Sequence, residues 1–154
     1  MKFFLNLLMA VFFALPAASA QMDGGEVPLA IRNDFEQRHP DAEEVFWERW
    51  ERGFKASYYE KGLSKEQFFT AAGQPVYGCT YLEAYELPKA VQEFLRNRFS
   101  GNYMPSVVLR MERPNRSVLY RVHLDTREGF LELVFDESGC LRGENLESYE
   151  TGQN

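Results

Sequence analysis

The chain has 154 residues with 17 basic and 23 acidic side chains, a formal charge of −6, and 15% aromatic residues. That charge argues against a nucleic-acid binder, which needs a Lys/Arg surface for the phosphates, and basic residues such as Arg49 and Arg52 alternate with Glu48 and Glu51. The length suits one ordinary domain or two small units sharing a core.

The first twenty residues read as a secretory leader. Lys2 supplies a positive start, Phe3 to Leu15 are apolar except for Asn6, and Pro16 breaks the run. Ala18-Ser19-Ala20 then offers small residues for cleavage between Ala20 and Gln21. The apolar run is shorter than the roughly 20 residues that span a bilayer. No cysteine follows it to carry a lipid, and no later segment is long and apolar enough to span. A periplasmic or secreted location is therefore expected.

Beyond the leader, Val27-Pro28-Leu29-Ala30-Ile31 starts a helix, with Pro28 in the first turn where its missing N–H costs nothing. Ile31 and Phe35 share a face, and Pro40 stops the helix. Strand-like runs follow over 44–50, 54–59, 65–70 and 76–82, punctuated by Gly53, Gly62 and Gly73-Gln74-Pro75. Leu87-Pro88-Lys89-Ala90-Val91 then repeats the helix signature, with Val91, Phe94, Leu95 and Phe99 on one stripe. Further strands are expected over 106–112, 118–124, 130–135 and 141–146. Pro114-Asn115-Arg116, Asp125 to Gly129 and Asp136 to Gly139 supply the turns. Asn115-Arg116-Ser117 fits a glycosylation acceptor and is read as a hairpin turn.

The aromatic-to-glycine spacing of Phe69 to Gly73 recurs at Phe135 to Gly139. The order implied is α-β4-α-β4: an α+β fold of two tandem α-β4 repeats, with an antiparallel sheet and helices on one face. The divisions expected are a leader at 1–20, a first unit at 21–86, a second at 87–147 and a polar tail at 148–154.

Catalytic signatures are missing from the sequence. There is no C-x-x-C, no G-x-S-x-G and no phosphate-cradling glycine loop. His39 and His123 lie far apart, without the Cys/His company of a zinc site. Asp41, Glu43 and Glu44 read as a solvated charged turn. No catalytic residue, metal or cofactor is assigned, and the chain reads as no enzyme. Cys79 and Cys140 form a candidate disulfide in an oxidising compartment, with two buried thiols as the other reading.

The strands carry adjacent apolar pairs, namely Phe46-Trp47, Tyr58-Tyr59, Phe68-Phe69 and Val107-Val108. Neighbours on a strand point to opposite faces, so one member enters the core and the other needs a cover or a partner. Trp47, Trp50, Tyr58, Tyr59 and Tyr81 are the candidate contact residues, because Trp and Tyr dominate interface centres.

The stretch from Val27 through Trp50, with V-P-x-A-I-x-x-x-F, then R-H-P-D-A and a Trp-bearing strand, resembles the PepSY-like, beta-lactamase-inhibitor-like family of exported bacterial proteins, often tandem. The second copy departs from it, with Ser100-Gly101-Asn102 in place of Pro-Asp-Ala and Met111 but no Trp in its first strand. The resemblance implies a doubled helix-plus-four-strand unit with a concave sheet face that holds a partner. The expected function is an exported, inhibitor-like binding module for a protein or peptide. The alternative is an envelope-assembly protein acting by self-association or sheet-edge pairing.

Overall fold

The computed structural model describes residues 21–22, 27–51, 53–100 and 103–149. The leader at 1–20 and most of the polar tail lie outside the described residues. The order is β1 (Gln21–Met22), α1 (Leu29–Arg38), β2 (Glu43–Trp50), β3 (Gly53–Glu60), β4 (Leu63–Thr70) and β5 (Pro75–Tyr81). A single 3-10 turn (Ala84–Glu86) leads into α2 (Lys89–Arg98), followed by β6 (Pro105–Glu112), β7 (Val118–Asp125), β8 (Gly129–Asp136) and β9 (Leu141–Ser148).

The expectation of an α+β molecule built from two tandem α-β4 repeats is corrected by the sheet. All nine strands form one antiparallel sheet in the order β1 to β9, each hydrogen-bonded to its chain neighbour. At the proposed division β5 pairs directly with β6, Cys79 opposite Met111 and Tyr81 opposite Leu109. The described residues are mostly this one sheet, with two ten-residue helices among them. The physical reason is edge satisfaction: two separate four-stranded sheets would expose the backbone groups of β5 and β6, and joining them removes both edges.

Chain chemistry sets the hairpins. Lys61 and Gly62 both hold positive φ, 54° and 76°, the two-residue turn whose twist matches β3 and β4. Asn115 Oδ1 accepts hydrogen bonds from Ser117 N at 3.0 Å and Ser117 Oγ at 2.7 Å, closing the turn between β6 and β7. The tail reading also needs correction, because β9 runs to Ser148 and Tyr149 packs edge-on against Phe130 at 5.3 Å.

Each helix is anchored by two buried residues, Ile31 and Phe35 in α1, Val91 and Leu95 in α2. Pro28 lies just before α1, and its carbonyl accepts from Ile31 N (2.9 Å) and Arg32 N (3.2 Å). The first helix closes on a core of Trp47, Phe54, Ala56, Tyr58 and Phe69. The second closes on Val108, Val122, Leu124, Leu131, Leu133 and Phe135. Each fully buried side chain of this size contributes about 1.5–3 kcal/mol.

Register puts both cores on the same side. Trp47 faces Ala56, Phe54 faces Phe69, and Val108 faces Val122, which faces Leu133. The alternate residues of every strand therefore point to the opposite side.

Candidate functional site

That opposite side carries a third apolar cluster, and no helix residue among the described residues belongs to it. Phe68, Cys79, Leu109 and Met111 are its buried members, with Trp50, Val76, Tyr77, Val107 and Leu119 packed around them. The cross-strand pairs Phe68 with Tyr77 and Cys79 with Met111 place these side chains in one band across β4, β5 and β6.

Three aromatic rings form the band's centre. Phe68 and Tyr77 stack at 4.4 Å, and Trp50 meets Phe68 edge-on at 4.9 Å and Tyr77 edge-on at 6.0 Å. Such geometries add about 0.5–1.5 kcal/mol per pair beyond area burial, so the band is a rigid platform. Phe46 (52% exposed), Tyr59 (47%) and Tyr81 (38%) stand exposed elsewhere on the same face.

Charged groups flank the aromatic band. Lys55 Nζ sits 2.6 Å from Glu48 Oε2 and 3.2 Å from Glu66 Oε1. Burial opposes the Lys55 charge, but the hydrogen bond Lys55 donates to Glu48 and the charge of Glu66 outweigh it and raise its pKa. On the far side Glu132 Oε2 lies 2.9 Å from His123 Nε2 and 3.3 Å from Arg121 Nε.

The face holds no poised nucleophile among these groups. Burial first, and then the charge of Glu66, push the Cys79 thiol up to about 12. Burial likewise raises Tyr77 and Tyr81, so all three stay protonated and neutral at ordinary pH. Neutral aromatic and aliphatic groups ringed by paired charges suit the face to binding.

Of the five candidate contact residues, three lie on this face and two do not. Trp50, Tyr59 and Tyr81 share it. Trp47 and Tyr58 are corrected to core residues, 7% and 4% exposed on the helix side. Trp47 packs edge-on to Phe35 at 5.4 Å, and Tyr58 does so at 5.0 Å. Both complete the pocket that seats α1, which takes them out of reach of a partner.

Sequence reasoning missed Tyr77. The signal was available, since Tyr77, Cys79 and Tyr81 alternate along β5 and so share a face. The two histidines sit on opposite sides of the sheet: His39 contacts Tyr58 and Glu60 by the first helix, at 3.2 and 3.1 Å, and His123 lies on the open face. Cys79 and Cys140 are free and unbonded, the first buried in the open-face cluster, the second exposed in the turn between β8 and β9.

The architecture defines a sheet-platform fold with a helix-covered side and an open aromatic side. No protein-family model matches the sequence, and no curated protein sequence matches it. Solved structures do match in fold. A BLIP-like protein from Bacteroides fragilis aligns with a TM-score of 0.71 at 24% identity, over 82% of this chain and 91% of that one. A DUF2874 family protein from Bacteroides uniformis aligns at 0.73 and 18% identity, over 80% and 91%. A candidate periplasmic protein from Bacteroides eggerthii aligns at 0.73 and 15%, over 81% and 94%. The chain has the BLIP-like fold. A PepSY-like assignment has no support among these matches. No helix among the described residues is long and apolar enough to cross a membrane.

Proposed function

We propose that this chain is an exported, non-enzymatic binding module that takes a protein or peptide on its open sheet face. The observation that carries the reading is the aromatic band of Trp50, Phe68 and Tyr77, which no helix among the described residues covers. Apolar patches of this kind on a water-soluble fold mark interaction sites, and rigid aromatic rings dominate the centres of interfaces. Paired charges on both flanks supply the polar rim of such a surface.

Export is supported by the leader-like first twenty residues and by a fold shared with a candidate periplasmic protein. An inhibitor-like role is supported by the fold shared with a protein called BLIP-like. Pairing through the β9 edge is the weaker reading. That strand carries Arg142, Glu144 and Glu147, and charged edges oppose strand addition.

The test is a capture experiment from the envelope and secreted fractions of the source bacterium. The bait is the mature chain, compared with its Trp50→Ala/Tyr59→Ala/Tyr81→Ala variant and with a surface control, Glu137→Gln. A partner held by the wild type and the control, and lost from a triple variant with native circular dichroism, supports the reading. A partner held equally by all three overturns it, as does concentration-dependent self-association in the absence of any captured partner.

A further inference from the structure

The helix-covered side of the sheet is not covered in its middle. Apolar cores fill it beneath α1 and beneath α2, but over β4, β5 and β6 the residues pointing the same way are Lys65, Gln67, Gly78, Thr80, Arg110 and Glu112. They floor a cleft of about 420 Å³ beside the end of α1. Arg38 and His39 wall it from the end of α1, and Arg113, Pro114 and Arg116 from the turn between β6 and β7.

The sign of this cleft is opposite to that of the protein. Arg38, Lys65, Arg110, Arg113 and Arg116 line it, in a chain of net charge −6. Of the two carboxylates along it, Glu66 turns its side chain to the open face, where it binds Lys55 at 3.2 Å. That leaves Glu112, whose Oε2 holds Arg110 Nη1 at 2.8 Å. Arg38 is held by Asp34 at 2.8 Å, and Lys65 by Glu60. Arg113 and Arg116 have no ion pair among the described residues.

Placement of these two arginines is built into the chain. Arg110, Arg113 and Arg116 recur at every third position. The turn folds the last two back over the strand end, Arg116 N donating to Arg113 O at 2.8 Å and Arg113 N to Ser117 O at 3.1 Å. Arg116 adopts a left-handed φ of 63°, a conformation that costs any residue with a Cβ. A polar, cationic floor at the centre of a face that is elsewhere apolar gives up burial that Val or Leu there would supply.

We infer that this cleft is a binding site for a small ligand carrying two oxyanion groups, carboxylate or phosphate. Guanidinium forks bind both groups bidentately. The volume lies in the range of small-molecule sites, roughly 300–1,000 Å³, and exceeds what one inorganic ion fills. Arg113 and Arg116 take one oxyanion at the mouth. Arg110, released from Glu112, takes the other with the Thr80 hydroxyl beside it. The site lies on the side of the sheet away from the aromatic band, so partner binding there is independent of it.

The experiment is isothermal titration of the mature chain with pyrophosphate in one arm and citrate in the other, at about 20 mM and about 150 mM salt. The variants are Arg113→Gln/Arg116→Gly, whose glycine relieves the left-handed position, and a charge-matched control, Arg96→Gln/Arg127→Gln, on exposed positions elsewhere. A third, Glu112→Gln, removes the competing carboxylate. One-to-one saturable binding to either probe is expected, weakened about tenfold or more in the first variant, kept within about twofold in the control and tightened about threefold or more in Glu112→Gln. The arm that binds names the oxyanion. Lack of saturable binding in both arms overturns the inference. So does an equal loss in the first variant and the control, which would reduce the effect to bulk charge, or an unchanged affinity in Glu112→Gln.

Discussion

Trp47 and Trp50, three residues apart on β2, lie on opposite faces of the sheet: Trp47 is sealed under α1 against Phe35, and Trp50 stands on the open face against Phe68. The period of two along a strand produces this directly. The two positions therefore separate stability from binding. Trp47→Ala empties part of a closed core and should cost about 3–5 kcal/mol in urea unfolding. Trp50→Ala removes a ring packed on one side only and should cost no more than about 2 kcal/mol. They are the chain's two tryptophans, so Trp47→Phe and Trp50→Phe each leave a single reporter. Acrylamide should quench Trp50 in the first variant more strongly than Trp47 in the second. Equal quenching of both would contradict the face assignment.

Gly139 holds the turn between β8 and β9 against α2. Its φ is 85°, and a Cβ there would meet Ala90 Cβ at 2.5 Å and Val91 N at 3.3 Å. Gly62 has a similar φ of 76° with open space around it. Gly62→Ala should cost about 1 kcal/mol, the backbone term alone. Gly139→Ala should cost about 1–2 kcal/mol more, because α2 must shift to admit the methyl. Urea midpoints compare the two, and equal losses would mean that the turn does not anchor the helix.

Local chemistry was legible in the sequence, and long-range pairing was not. The strand runs lie within two residues of the observed strands, because aromatic and β-branched runs end at turn residues such as Lys61-Gly62. Both helices begin at their prolines for the same local reason. The pairing of β5 with β6 could not be read that way, since nothing in Tyr81 or Leu109 taken alone names its partner strand. The apolar doublets correctly implied two apolar faces. Which member faced inward depended on register, and a one-residue uncertainty exchanges Trp47 with Phe46 and Tyr58 with Tyr59. The cationic cleft was hidden for a related reason: Lys65 and Arg110 lie 45 positions apart, and sheet order alone brings them together.

The two cysteines should behave as unlike free thiols. Cys140 is exposed, and Ser138 Oγ lies 3.3 Å from its sulfur. Cys79 is buried, and its raised pKa leaves almost no thiolate at pH 8. In the native protein, Ellman's reagent should titrate one thiol quickly and the second slower by about a hundredfold or more. Denaturant should release both at once. Under mild oxidation the expected product is a Cys140-linked dimer. An internal disulfide in the intact-mass spectrum of the native protein would refute the geometry.

Asp136 sets an acid limit for the same turn. Its carboxylate accepts from Ser138 Oγ at 2.6 Å, from Arg142 Nε at 2.7 Å and from Cys140 N at 3.0 Å. The Ser138 hydrogen bond contributes most, burial opposes it, and Arg142 and the Cys140 backbone add to it, bringing the pKa to about 2 from the ordinary 3.8. A carboxyl whose pKa is lower folded than unfolded binds fewer protons in the folded state, so it stabilises above the unfolded value. That contribution is complete above about pH 5 and is lost as the pH falls through 3.8 towards 2. The urea midpoint of wild type should therefore exceed that of Asp136→Asn by a constant margin from about pH 5 to 8, shrinking below pH 4. A margin unchanged down to pH 2 would show that the hydrogen bonds, which asparagine only partly replaces, act independently of the charge.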